Sequence, residues 1–81
     1  MNSEKILILK ELAKDLTVEV SKSVSFNKLS INTELPKDRL DTLLTELENE
    51  RYIDQYIKEN DDNFLIRLKE KGFDVVRDVE E

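Results

Sequence analysis

Apolar residues recur along the chain at two different periods, and the change of period outlines the fold. Ile6, Leu9, Leu12, Ala13 and Leu16 return every three or four residues. That spacing gathers them on one face of a helix over residues 4–16, with Ser3 as its cap. Val18, Glu19 and Val20 then alternate, and branched residues at period two predict a short strand. Ser25 is the next cap. It opens a short helix over 26–33 with Phe26 and Leu29 turned inward. Leu35 ends the connection, and Pro36 opens a third helix, where its missing N–H costs nothing. Leu40, Leu43, Leu44 and Leu47 give that helix a buried stripe, and it runs to about residue 51.

Beyond it the pattern turns strand-like. Residues 52–58 and 64–68 are rich in aromatic and branched side chains, and Glu59-Asn60-Asp61-Asp62-Asn63 between them tolerates turn geometry. A β-hairpin with a loop of four or five residues is predicted. From Lys69 onward the pattern is helical again, with Phe73, Val76 and Val79 inward. Gly72 inside that helix costs up to ~1 kcal/mol against Ala, and a close backbone contact with the hairpin would account for it. Residues 78–81 read as a frayed acidic tail.

Composition narrows the chemistry. The 81 residues contain no Cys, no His and a single Gly, which points to one domain. Thiolate, zinc-thiolate and imidazole chemistry are excluded, and one Gly cannot build a phosphate-cradling loop. The longest apolar run, Ile6-Leu7-Ile8-Leu9, is far too short to span a bilayer. The expectation is a small cytoplasmic module, not an enzyme, with no cofactor, no bound metal and no membrane. Charge is uneven. Residues 1–33 carry five cations and four anions, whereas residues 34–81 carry eight cations and fifteen anions.

Three stretches carry a resemblance. They are Ser25-Phe26-Asn27-Lys28-Leu29, then Leu35-Pro36-Lys37-Asp38-Arg39-Leu40, then the run from Leu43-Leu44-Thr45-Glu46-Leu47 through Glu48-Asn49-Glu50-Arg51-Tyr52-Ile53. With Leu68-Lys69-Glu70-Lys71-Gly72-Phe73 starting a last helix, the chain resembles the winged helix-turn-helix superfamily over nearly its whole length. The resemblance implies a mainly α fold: a three-helix core, a small antiparallel β-hairpin as the wing, and a C-terminal helix. Two positions depart from the pattern. Glu34 stands in the turn and Arg51 before Tyr52, where the family often has Gly. Either a backbone position there reaches an unusual conformation without glycine, or the turn differs.

The resemblance also implies a surface. In DNA-binding members the third helix enters the major groove beside the wing. At about 100° per residue, the face opposite the leucine stripe carries Asp38, Thr42, Thr45 and Asn49. Thr and Asn suit base-edge contacts, and Lys28, Lys37, Arg39 and Lys58 are the candidates to hold phosphates. Charge argues the other way. Residues 36–51 hold three cations and five anions, and residues 54–63 hold Lys58 against four carboxylates, so both surfaces are negative where phosphate affinity needs cations. The plain reading of the polar stripe is a solvated helix face.

Weaker signals have ordinary explanations. The oxygen-rich loop 59–63 lacks the glycine and spacing of a calcium loop and reads as a polar turn. Tyr52 and Tyr56, an even number apart, are expected to share a strand face and to pack against the helices rather than stack on bases. On the first helix, with Ile6 at 0°, the core arc spans about 240–360°, Ile8 falls near 200° and Leu7 near 100°. Leu7 and Ile8 are therefore the candidates for self-association, and the family resemblance implies dimers through terminal helices. Two functions stand: a DNA-binding transcriptional regulator acting on duplex DNA, or a protein–protein interaction module of the same fold that binds no nucleic acid.

Overall fold

Local capping sets where each helix begins and ends. The computed structural model describes residues 2–80. The first helix, α1 (Ser3–Asp15), is capped by Asn2 rather than Ser3: the Asn2 side chain accepts from the Glu4 and Lys5 amides at 2.6 and 3.4 Å. A strand, β1 (Ser21–Ser25), follows, and Ser25 caps α2 (Phe26–Thr33) as expected, accepting from the Lys28 amide at 3.2 Å. Pro36 lies one position earlier than expected. It is the extended N-cap of α3 (Lys37–Asn49), and its carbonyl accepts the first helical bond, from Leu40.

The expected hairpin forms from β2 (Ile53–Lys58) and β3 (Asn63–Leu68), and α4 (Glu70–Glu80) closes the chain. The expected frayed tail is helical through Glu80, and Glu81 lies outside the described residues. The sheet has three antiparallel strands in the order β1-β3-β2, one more than the hairpin alone. The extra strand is not Val18-Glu19-Val20. Those residues turn, with Glu19 at φ 68° and Val20 half exposed, and the Glu19 amide donates to the Leu68 carbonyl at 2.8 Å. Pairing with β3 selects Ser21–Ser25 instead, in the register Ser21↔Arg67 to Ser25↔Asn63, although serine is a poor strand former. Contact with a partner strand outweighs intrinsic preference here.

The core lies between the helices and one face of the sheet. Leu40, Leu43, Leu44 and Leu47 from α3 meet Phe64, Ile66 and Leu68 from β3, with Ile8, Leu9 and Leu12 from α1, and all are essentially inaccessible. In α1 the buried stripe is Lys5, Ile8, Leu9 and Leu12, so the core arc is rotated from the one predicted, and Ile6 is only half-buried. Four consecutive apolar residues, 6–9, leave the helix phase degenerate in sequence, and packing settles it. In α4, Val76 is buried, Phe73 half-buried and Val79 47% exposed, so Val79 is not a core residue.

Both glycine-poor positions adopt the left-handed conformation. Glu34 has φ 61° and ends α2, its amide donating to the Ser30 carbonyl at 2.8 Å. Arg51 has φ 67° and ends α3, where the Arg51 amide donates to the Glu48 carbonyl and the Tyr52 amide to the Leu47 carbonyl, both at 3.0 Å. That pair of bonds is a Schellman cap, which favours glycine. A left-handed side-chain residue costs ~1–2 kcal/mol, and glycine's extra unfolded-state freedom returns part of it. Glu34→Gly and Arg51→Gly should therefore each stabilise the fold by ~0.5–1 kcal/mol. A urea midpoint at or below that of the wild type would show that contacts of the Glu34 and Arg51 side chains outweigh the backbone strain.

Candidate nucleic-acid interface

Helix α3 presents its leucine stripe to the core and its opposite side to solvent. Asp38, Thr42, Thr45 and Asn49 are all exposed on that side. The two hydroxyls are turned back onto the helix, Thr42 donating to the Asp38 carbonyl at 3.1 Å and Thr45 to the Asp41 carbonyl at 2.8 Å. Each oxygen still has lone pairs for an incoming donor.

The hairpin is pinned to the flank of this helix. A register shift in β2 between Asp54 and Ile57, with Gln55 at φ 54°, adds a residue and reverses the strand's alternation. Tyr56 therefore turns inward and Ile57 is left 56% exposed. The Tyr56 ring meets Phe64 at 5.4 Å and Phe26 at 6.5 Å, both edge-on. Its hydroxyl donates to Asp41 at 2.6 Å and its amide to the Glu48 carboxylate at 2.8 Å. The Tyr56 hydrogen bond holds the Asp41 carboxyl below its ordinary range, and burial pushes the Tyr56 phenol up, with Asp41 adding to the effect. Tyr52 does not share the strand face with Tyr56. It precedes β2 and lies under the Lys71 ammonium, 4.3 Å from the ring centre.

The four expected phosphate contacts fall in three places. Lys37 and Lys58 border one cleft between the start of α3 and the β2–β3 loop, together with Phe26, Asp38, Asp41 and Asp61. Lys37 donates to the Asp61 carbonyl, and Lys58 lies 3.4 Å from Asp41. Arg39 turns to α1 and pairs with Glu4 at 2.7 Å. Lys28 reaches the end of α1, 3.4 Å from Asp15. Each cation thus faces an oxygen of its own fold. The pairs involving Lys28 and Lys58 are long, and all three ion pairs are substantially exposed, so a phosphate can displace the carboxylate at little cost.

The residues of the β2–β3 loop have structural work. Asn60 accepts from the amides of Asp62 and Asn63 at 3.0 and 2.7 Å, and Asp62 receives the Ser25 hydroxyl and the Asn27 amide at 2.8 and 3.0 Å. Among the described residues no group of three or more carboxylates is placed to hold a metal ion, and no helix is long and apolar enough to cross a membrane.

Of the two self-association candidates, Ile8 is fully buried and cannot form a surface. The degenerate apolar run misplaced it. Leu7 is half-buried and lines a shallow groove between α1 and α4 with Ile6, Lys10 and Val79. Pattern reading missed two polar clusters. Lys5 is buried among the α1 core positions and bonds Glu46 and Glu50 of α3 at 3.0 and 2.9 Å, which keep its ammonium charged. A lysine in phase with an apolar stripe was the available signal. Arg67 grips Asp54 through two bonds of 2.7 and 2.6 Å across the hairpin, a pairing visible only once the register is known. Comparison with models of known protein families gives no match, and neither does comparison with curated proteins.

Proposed function

We propose that this chain is a winged-helix domain and acts as a DNA-binding transcriptional regulator, with α3 as the recognition helix and the β2–β3 hairpin as the wing. One observation carries the reading. The outward face of α3 is an uninterrupted polar stripe, Asp38, Thr42, Thr45 and Asn49, and the hairpin is fixed beside it by Tyr56 on Asp41 and Glu48. A rigid helix with a strand pair at its flank suits a groove and the adjoining backbone. Thr42, Thr45 and Asn49 would meet base edges, and Lys37 and Lys58, which border the cleft between the two elements, would meet phosphates.

A second reading has its own support. All four expected phosphate contacts face oxygens of the same chain, and the surrounding charge is negative. A protein-interaction module that presents the same acidic face to a basic partner is favoured by that arrangement.

The deciding experiment is a titration with genomic DNA fragments at low salt. DNA reading predicts a sequence-selective complex with a shallow salt dependence, a log–log slope of about −0.9 per phosphate contact. Asn49→Ala should relax sequence preference, and Lys58→Ala should weaken all sequences alike. Failure to form any complex, with capture of a basic protein partner that Asp38→Lys abolishes, selects the second reading.

A further inference from the structure

The outward stripe of α3 divides into groups that donate and groups that accept. A carboxylate only accepts, and that of Asp38 is exposed with no partner among the described residues. Thr42 and Thr45 have already placed their hydroxyl protons, on the carbonyls of Asp38 and Asp41 at 3.1 and 2.8 Å. A carbonyl cannot donate, so the direction of both bonds is fixed. Each threonine is left with acceptor lone pairs and a methyl group. Asn49, a turn further on, is the one member of the stripe with N–H groups to give.

The neighbouring cations add no donors to this surface. Lys37 and Arg39 project roughly 90° or more to either side of the centre of the stripe, at about 100° per residue. Lys37 is drawn to the Asp61 carbonyl, Arg39 to Glu4 at 2.7 Å and Lys58 to Asp41 at 3.4 Å. Base edges differ in what they offer such a face. In the major groove guanine shows two acceptors, O6 and N7, whereas cytosine and adenine each show an amino donor and thymine shows a methyl group. An acceptor set over guanine meets lone pairs, and one set over an amino group gains a hydrogen bond. Guanine is usually read by paired donors on Arg or Lys, and the stripe from Asp38 to Thr45 holds neither residue.

We propose that α3 selects duplex DNA by its amino groups and thymine methyls and rejects guanine edges. Asp38 takes the N4 amino group of a cytosine. Thr42 and Thr45 lie over A·T pairs, each with its oxygen toward an adenine N6 or its methyl against a thymine methyl. This specificity rests on the reading of α3 as a recognition helix. Thr42 and Thr45 lie ~6 and ~10 Å along the axis from Asp38. With the helix laid along the groove, the three contacts span about four base pairs at ~3.4 Å per step.

Selection of bound duplexes from a randomised pool at low salt tests it, followed by titration with base analogues, which leave the protein unaltered. The selected sites should carry a cytosine followed by A·T pairs within that span. Replacing thymine by uracil removes only the methyl and should weaken binding roughly three- to fivefold per contacted base. Inverting the C·G pair should cost roughly tenfold or more. Asp38→Asn, an exposed change that supplies a donor, should admit guanine at that position and keep the A·T preference. Two results overturn the specificity while leaving DNA reading intact. One is a uracil duplex bound as tightly as its thymine counterpart. The other is a set of sites whose affinity depends on guanine N7 under α3, detected by 7-deazaguanine substitution. No complex with any duplex in the pool is a different failure, which overturns the recognition-helix reading and the specificity with it.

Discussion

Leu44→Ala is expected to lower the free energy of unfolding by ~2–5 kcal/mol, the largest effect of any substitution considered. Leu44 is completely inaccessible, and Leu40, Leu43 and Leu47 on the same helix are buried with it. α3 packs at once against α1, α2 and β2. Removing the isopropyl group therefore leaves a hole walled by rigid elements on several sides. Such a hole closes poorly, and the loss is the transfer energy of the deleted carbons plus the cost of the cavity. A domain of this size has a total stability on the order of 5–15 kcal/mol, so the urea midpoint should fall steeply. A midpoint equal to that of the wild type would mean that Leu44 does not sit in the core and that the phase of α3 is wrong.

Gly72→Ala should destabilise by ~1–3 kcal/mol, although helix propensity alone predicts a gain of up to ~1 kcal/mol. The sign is decided by a contact. A Cβ on Gly72 would lie 2.4 Å from the Tyr52 carbonyl oxygen and 3.0 Å from Leu68 Cδ1. That carbonyl is not free to retreat, since it accepts the Lys69 amide at 3.2 Å and leads directly into β2. The helix would have to lift away from the hairpin and loosen Val76 and Phe73. Thermal unfolding of the variant measures the balance. A midpoint above that of the wild type would show that α4 shifts without loss and that the close approach is incidental.

These two residues differ in how far the chain itself announces them. Leu44 lies in a stripe with one consistent phase, since Leu40, Leu43, Leu44 and Leu47 admit a single helical face. The same clarity placed α2, α3 and the two hairpin strands to within a residue or two. The expected contact between Gly72 and the hairpin is present, because a glycine inside an amphipathic helix has few other reasons to be there. The exposure of Asp38, Thr42, Thr45 and Asn49 also follows from the leucine phase alone. What that face binds does not follow, because recognition depends on charges whose positions in space the chain does not state.

Where the local pattern is degenerate or contradicted by a long-range partner, only the tertiary structure decided. Four apolar residues at 6–9 allow several helix phases, and packing on α3 chose the one that buries Ile8 and carries Lys5 to Glu46 and Glu50. Val18-Glu19-Val20 has better strand residues than Ser21–Ser25, yet β3 pairs with the serines. The bulge at Gln55 breaks the parity on which a shared face for Tyr52 and Tyr56 rested. Arg39 and Lys58 look alike as exposed cations, but one is directed to Glu4 and the other to Asp41 by neighbours thirty-five and seventeen positions away. Periodicity is a local property, so it determined which residues are helical or extended and which side of α3 is polar. Register, bulges and the pairing of charges are set by segments distant in sequence, and they appear only when those segments meet.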